Sequence, residues 1–287
     1  MPVQTNNTNA PGSWSPDQVS SHVFTDVLGD ALYNSLTTVV GSIQGDQPSI
    51  RVPVVTDSKS ADFVPEGATI PEVEPSLDEV VLQTRKIAVT SAISNEQASQ
   101  GTTPAQIAAS LKRDIVRKLD QALLTQAAPG VGEIAPSVGI LNTLGIIEGD
   151  PLVSDLDPLV DLISQLEANF ANPRVLLVDP LAKAALFRLK TDVAASNVGL
   201  LSPATSTPTS PILGLQMIVS PFMPANSGLI VDPSNIVSAT STVDVAQSTD
   251  ARFYEDAVVY RVVTRCGHAV VHADRLAKLS IGVAADD

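Results

Sequence analysis

Residues 57–76, DSKSADFVPEGATIPEVEPS, set the strongest limit on how this chain can fold. The stretch holds Pro65, Pro71 and Pro75, five carboxylates and few apolar side chains, and no helical or strand period runs through it. On its N-terminal side Ile50, Val52 and Val54 alternate with Ser49, Arg51 and Pro53, which predicts a strand; Pro53 assigns it to an edge or to a non-bonded position. On its C-terminal side Glu79 to Ser94 reads as one long strand with Ile87, Val89 and Ile93 on a common face. Together these pieces predict a long hairpin with an elaborate tip. A two-stranded ribbon is marginal alone in water, and fixing each backbone residue costs roughly 1–2 kcal/mol. The tip cannot offset that by packing on itself, so either it is a loose surface loop or another surface receives it.

Composition narrows the choices. The chain has 287 residues, enough for one or two closely joined domains. Hydrophobic residues make up 44% but aromatics only 3%, so Ala, Val, Leu and Ile must fill the interior. The net charge of −14 argues against a broad basic surface for gripping nucleic acid. Cys266 is the single cysteine, so there is no disulfide framework. The polar N-terminus, MPVQTNNTNAPGSW, lacks the layout of a signal peptide, and no apolar run is long enough to span a bilayer, so a soluble protein made in the cytoplasm is expected, with no membrane partner.

The best-marked helix starts at Thr103-Pro104, with Gln106 completing a capping box. Ile107, Leu111, Ile115, Leu119 and Leu123 then repeat at i, i+4 as far as Gln126, a rod of roughly 35 Å. Lys112, Arg113, Asp114, Arg117, Lys118 and Asp120 are assigned to its other face. A second helix is expected from Ser15, with Val19, Val23, Val27 and Ala31 in step, fading by Gly41. Asp157-Pro158 opens a helix carrying Leu159, Leu162, Ile163, Leu166 and Phe170 on one side; a strand at Val175–Val178 and a helix from Asp179-Pro180 to about Lys190 follow. Strands are predicted at 216–220, 229–231 and 243–246. Phe253 to about Arg265 is apolar on both faces and reads as a central strand. The fold class is α+β.

Chemical motifs are weak. Gly130-Val131-Gly132-Glu133-Ile134-Ala135 matches a dinucleotide-binding pattern, but a helix precedes it and Pro136 follows, so it reads as a loop. Cys266, His268 and His272 share a face of an extended strand, but no fourth ligand is evident and Gly267 interrupts the strand, so a packed strand end is the simpler reading. His22 reads as a surface or interface residue. Phosphate loops, nucleophile elbows and zinc-protease motifs are absent, and no cofactor or catalytic group is assigned. Glu66, Glu72, Glu74, Asp78 and Glu79 read as a solvated acidic rim, or as an interface meeting Lys59, Arg85, Lys112 or Arg113 of a neighbour.

The order of these segments carries a resemblance. IRVPVVTD, then ADFVPEGATIPEVEPSLDEVVLQTRKIAVTSAISNE, the capped helix ending DQALLTQ, and VGILN resemble the major capsid proteins of tailed phages with the Hong Kong 97-type fold. RVLLVDPLAKAALFRLK, ILGLQMIVSPFMP and RFYEDAVVYRVVTRCGHAVVHADRLAKLSI are similar to that family's later elements. The resemblance spans residues 15 to 283, and the fold is shared with encapsulin compartments.

That resemblance implies a division into an N-terminal arm (1–45), an extended loop (46–94), a peripheral domain (95–134 and 251–287) with its spine helix at 103–126, and an axial domain (135–250). It implies loop contacts to an adjacent copy through Lys59, Phe63, Glu66, Ile70, Glu72, Glu74 and Arg85, and a spine built on Ile107, Leu111, Ile115, Leu119 and Leu123. Expected partners are copies of the chain in hexamers and pentamers, enclosed double-stranded DNA without sequence-specific contacts, a separate scaffolding protein, a portal and decoration proteins. Some members cross-link a loop lysine to an asparagine beside a carboxylate. Lys59 lies in the loop, but Val263-Thr264 stand where the carboxylate is expected, which implies an uncross-linked shell. Two other readings are an encapsulin-like shell around enzyme cargo and an α/β enzyme built on residues 157–190.

Overall fold

A computed structural model of the chain describes residues 31–43, 47–56, 63–67, 76–99, 103–133, 135–190, 199–201 and 211–282. Its first sheet is organised by β11 (Ala257–Val270), which is rich in β-branched residues. On one side β11 pairs antiparallel with β10 (Asp244–Arg252). On that same side, from Cys266 onward, it pairs with β9 (Ile236–Thr240), and along its other side it pairs with β4 (Arg85–Ser94) from Ala257 to Cys266. A short parallel strand, β1 (Thr38–Ser42), completes the sheet beyond β9.

After the one-turn helix α2 (Asn95–Ala98), the helix α3 (Thr103–Thr125) lies on this sheet. Leu111, Ile115, Leu119 and Leu123 are buried and Ile107 packs at the margin, against Ile93, Val258, Tyr260 and Val262. Each fully buried aliphatic side chain contributes roughly 1.5–3 kcal/mol, so the i, i+4 ladder is what fixes the helix to the sheet. Asp120 departs from the solvent face assigned to it: it is buried under α1 (Leu32–Leu36).

The second sheet runs β5 (Ile147–Glu148), β12 (Ala277–Ser280), β8 (Ser227–Val231), β6 (Val175–Val178) and β7 (Gln216–Val219). Two helices cover it: α4 (Asp157–Ala168), through Leu159, Leu162 and Leu166, and α5 (Pro180–Arg188), through Ala182 and Leu186. Asp179 caps α5: its Oδ2 accepts from Leu181 N–H at 2.9 Å and from Asn226 N–H at 3.2 Å. Phe170 does not join the buried stripe. The helix ends at Ala168, Phe170 turns to a φ of 59°, and its ring is 88% exposed.

Three further expectations change. The helix expected to fade by Gly41 gives way earlier, because β-branched Thr37 to Val40 suits the extended strand β1 better. The long strand from Glu79 to Ser94 divides at Thr84, where β3 (Ser76–Gln83) ends and β4 begins. Thr84 is buried and its N–H donates to Pro48 O at 2.9 Å, so the chain turns there from the ribbon into the main sheet. The final strand starts at Ala257, after a 3-10 turn at Phe253–Glu255, and runs through Gly267 without a break. At Gly267 a Cβ would stand 2.6 Å from Gln83 O, so the glycine admits the incoming ribbon.

Candidate assembly surfaces

The hairpin is an antiparallel ribbon of β2 (Ser49–Thr56) and β3, paired from Ser49↔Gln83 to Thr56↔Ser76. Among the described residues neither strand has a second neighbour, so Pro53 sits on an edge as its ring requires. The ribbon is rooted in its own protomer by a small cluster of Ile43, Leu82, Val237 and Ala239, with Ile50, Val52 and Val80 against it. Arg51 forms an ion pair with Glu79 across the ribbon, which removes Glu79 from the acidic rim. Beyond this root Phe63, Val64 and Glu66 are exposed, and Glu66–Gly67 make a turn with Gly67 at a φ of 82°. Lys59, Ile70, Glu72 and Glu74 lie outside the described residues, as do the first 30 residues with His22.

Arg85 is not on the ribbon. It opens β4, opposite Cys266, and is exposed at the ribbon's root. There it borders a pocket of about 180 Å³ between β4, β11 and the C-terminal half of α3, lined also by Lys86, Ile87, Lys118, Ala122 and Pro136. Sequence reasoning missed this pocket, because its walls come from four separate segments.

Behind the pocket is a buried polar latch. Tyr33 O–H donates to Gly267 O at 2.6 Å, and its ring meets the His268 ring edge-on at 6.0 Å. The backbone N–H of Tyr33 donates to Asp120 Oδ1 at 3.3 Å. Burial is the main cause that lifts the Asp120 carboxyl to about 6, against the N–H donors of Tyr33 and Leu32. Burial likewise pushes the Cys266 thiol up to about 11 and lowers His268 to about 4. One ring nitrogen of His268, Nε2, lies 2.9 Å from Val138 O, and His272 falls beyond the end of β11. These residues form a packed strand end; among the described residues no group of three His, Cys, Asp or Glu side chains is placed to hold a metal. The Gly130–Ala135 segment is loop where it is described.

A second exposed feature is the turn joining β10 to β11. Phe253 and Tyr254 project from it, edge-on at 6.0 Å. The turn is braced by an Arg252–Glu255 ion pair at 2.8 Å and by Asn95 N–H donating to Asp256 O at 2.9 Å. Among the described residues no helix is long and apolar enough to cross a membrane.

Residues 16–281 match the Phage capsid family. This chain belongs to the phage capsid family. It is a major capsid protein, a structural unit of a head shell. Solved structures agree in fold. The capsid of a native GTA particle, computed with C5 symmetry, is 15% identical, with a TM-score of 0.70 over 97% of this chain and 99% of that one. Gordonia phage Cozz is 18% identical, with a TM-score of 0.68 over 99% of both chains. Microbacterium phage Oxtober96 is 16% identical, with a TM-score of 0.68 over 91% of this chain and 96% of that one. At these identities the likeness shows the fold alone. No curated protein matches the capsid subunit significantly. These findings favour the phage shell over the enzyme-cargo compartment.

Proposed function

We propose that the subunit assembles through its hairpin, laid across an adjacent copy, into pentamers and hexamers that close as an icosahedral shell. The observation that carries this reading is the ribbon. Among the described residues β2 and β3 pack on their own protomer only in the proximal half, through Leu82 and its neighbours. The distal half and the tip need a surface from elsewhere to offset the entropy of ordering them. A subunit of −14 net charge suits a wall that encloses double-stranded DNA without gripping it. The C5 symmetry of the GTA capsid fits the same reading.

In this reading residues 1–45 are the arm and the ribbon is the extended loop. The first sheet with α3 is the peripheral unit, and the second sheet with α4 and α5 is the axial unit. Strand pairing supports grouping β9 and β10 with the first unit and β12 with the second, although they fall in the 135–250 and 251–287 segments respectively. Assembly takes place in the host cytoplasm, with a separate scaffolding protein, a portal and decoration proteins as partners, and the subunit carries no catalytic activity.

Deleting residues 57–76 tests the reading. The expected outcome is a soluble protomer with an unchanged helix signal in circular dichroism and no closed particles under the electron microscope. Normal particles from the deletion would overturn it.

A further inference from the structure

The pocket at the ribbon's root has an unusual charge state for so acidic a chain. Arg85 and Lys118 face it, Lys86 follows Arg85 on β4 with its side chain on the opposite face, and neither Arg85 nor Lys118 pairs with a carboxylate among the described residues. Its walls are otherwise largely apolar, from Ile87, Ala122, Pro136 and Cys266. Cations on low-dielectric walls attract an anion more strongly than cations on an open face. A duplex, about 20 Å across, meets proteins on broad surfaces and in grooves, and does not enter a recess of about 180 Å³. The pocket suits a narrow peptide in which carboxylates alternate with apolar groups.

One segment of this chain has that chemistry: Ile70-Pro71-Glu72-Val73-Glu74-Pro75. Its two prolines bias Ile70 and Glu74 toward extended backbone. In an extended peptide Glu72 and Glu74 share one face, with Val73 on the other. From residue 63 to residue 83 there are five carboxylates and no Lys or Arg. Among the described residues of this stretch, Glu79 has its partner, Arg51, on the same ribbon.

Connectivity decides which copy supplies the peptide. The pocket stands beside Gln83, whose carbonyl accepts from the pocket residue Ser137 at 2.8 Å. Ser76 is paired with Thr56 at the opposite end of an eight-residue ribbon, roughly 24 Å away. Glu74, two residues before Ser76, reaches at most about 7 Å back from there. A protomer's own Glu74 therefore does not reach its own pocket.

We propose that this pocket receives residues 70–75 of a neighbouring copy's hairpin, with Arg85 and Lys118 binding the Glu72 and Glu74 carboxylates. The inference rests on the reading that the hairpin lies on an adjacent copy, and it adds the receiving site. Tip and root are different surfaces, so the contact is heterologous. A heterologous contact whose rotation closes generates a ring, as pentamers and hexamers require.

The test uses a zero-length carbodiimide, which joins a carboxylate and an amine only in direct contact. Particles are assembled from equal amounts of 15N-labelled and unlabelled full-length chain, cross-linked, digested and analysed by mass spectrometry. The expected result is mixed-label peptides joining Glu72 or Glu74 to Lys118. If those carboxylates couple between copies only to other lysines, the pocket assignment fails while the hairpin reading stands. If they couple only within one chain, both fail. Protection of Lys118 from acetylation in DNA-filled but not in empty particles would assign the pocket to nucleic acid and overturn the proposal. A charge swap supplies a second measurement. The double variant R85E/K118E is expected to lower the yield of closed particles about tenfold, and adding E72K/E74K to restore most of it. An unchanged yield in the double variant would also overturn the proposal, and the cross-link on the unaltered chain remains decisive if that variant fails to fold.

Discussion

At the scale of single residues, the latch between the arm and the spine stores opposing pH dependences. Asp120 is 5% exposed, and its folded pKa of about 6 lies above its usual 3.8. Its contribution to stability is therefore fully present below about pH 4 and lost as the pH rises through about 6. Above that, the native state carries a buried anion at a cost of about 3 kcal/mol. His268 has the opposite sign. Its folded value of about 4 lies below 6.5, so its contribution is present above pH 6.5 and lost as the pH falls through about 4. Asp120→Asn keeps an acceptor for the α1 N–H groups and removes the charge. Urea denaturation of the unassembled D120N protomer should show added stability at pH 7, by up to about 3 kcal/mol, and none at pH 4. Greater loss at pH 7 than at pH 4 would contradict this account of the latch.

At the scale of elements, Gly267 joins three parts of the fold: the continuous strand β11, its pairing with β9, and the root of the ribbon. Gly267→Ala sets a methyl 2.6 Å from the Gln83 carbonyl, a backbone atom that can move only with its strand. A loss of roughly 1–3 kcal/mol is expected, read as a lower midpoint in thermal unfolding, with faster amide exchange at residues 80–84. An unchanged midpoint would show that the ribbon's root has slack. The elements that were legible in the sequence are those whose signals are local. The ladder from Ile107 to Leu123 repeats every four residues, and Asp179-Pro180 announces α5 within two positions. The division at Thr84 was not legible, because alternation continues from Val80 to Ile93 and only the partners change. The burial of Asp120 was hidden for a similar reason: its donor is a backbone N–H 87 residues away. β12 was missed because four residues carry little period, and its pairing with β8 is a long-range choice. The hairpin was readable as a ribbon, but its receiving pocket was not, since Arg85, Lys118, Pro136 and Cys266 meet only in three dimensions.

At the scale of the whole molecule, two sheets with their covering helices account for the protomer's core, and the ribbon is the part that its own chain leaves half covered. Val263 and Thr264 lie within β11, between β4 and β10, and neither side chain can act as a base. Particles boiled in detergent should therefore run as a single band near 29.9 kDa, and a covalent ladder would refute the uncross-linked shell. The most direct test of the account is an electron cryomicroscopy reconstruction of assembled particles. The account predicts a closed shell of rings in which each β2–β3 ribbon extends over the next copy, with its tip at that copy's Arg85 and Lys118. A ribbon folded back along its own α3, with no neighbouring chain against residues 63–79, would contradict it.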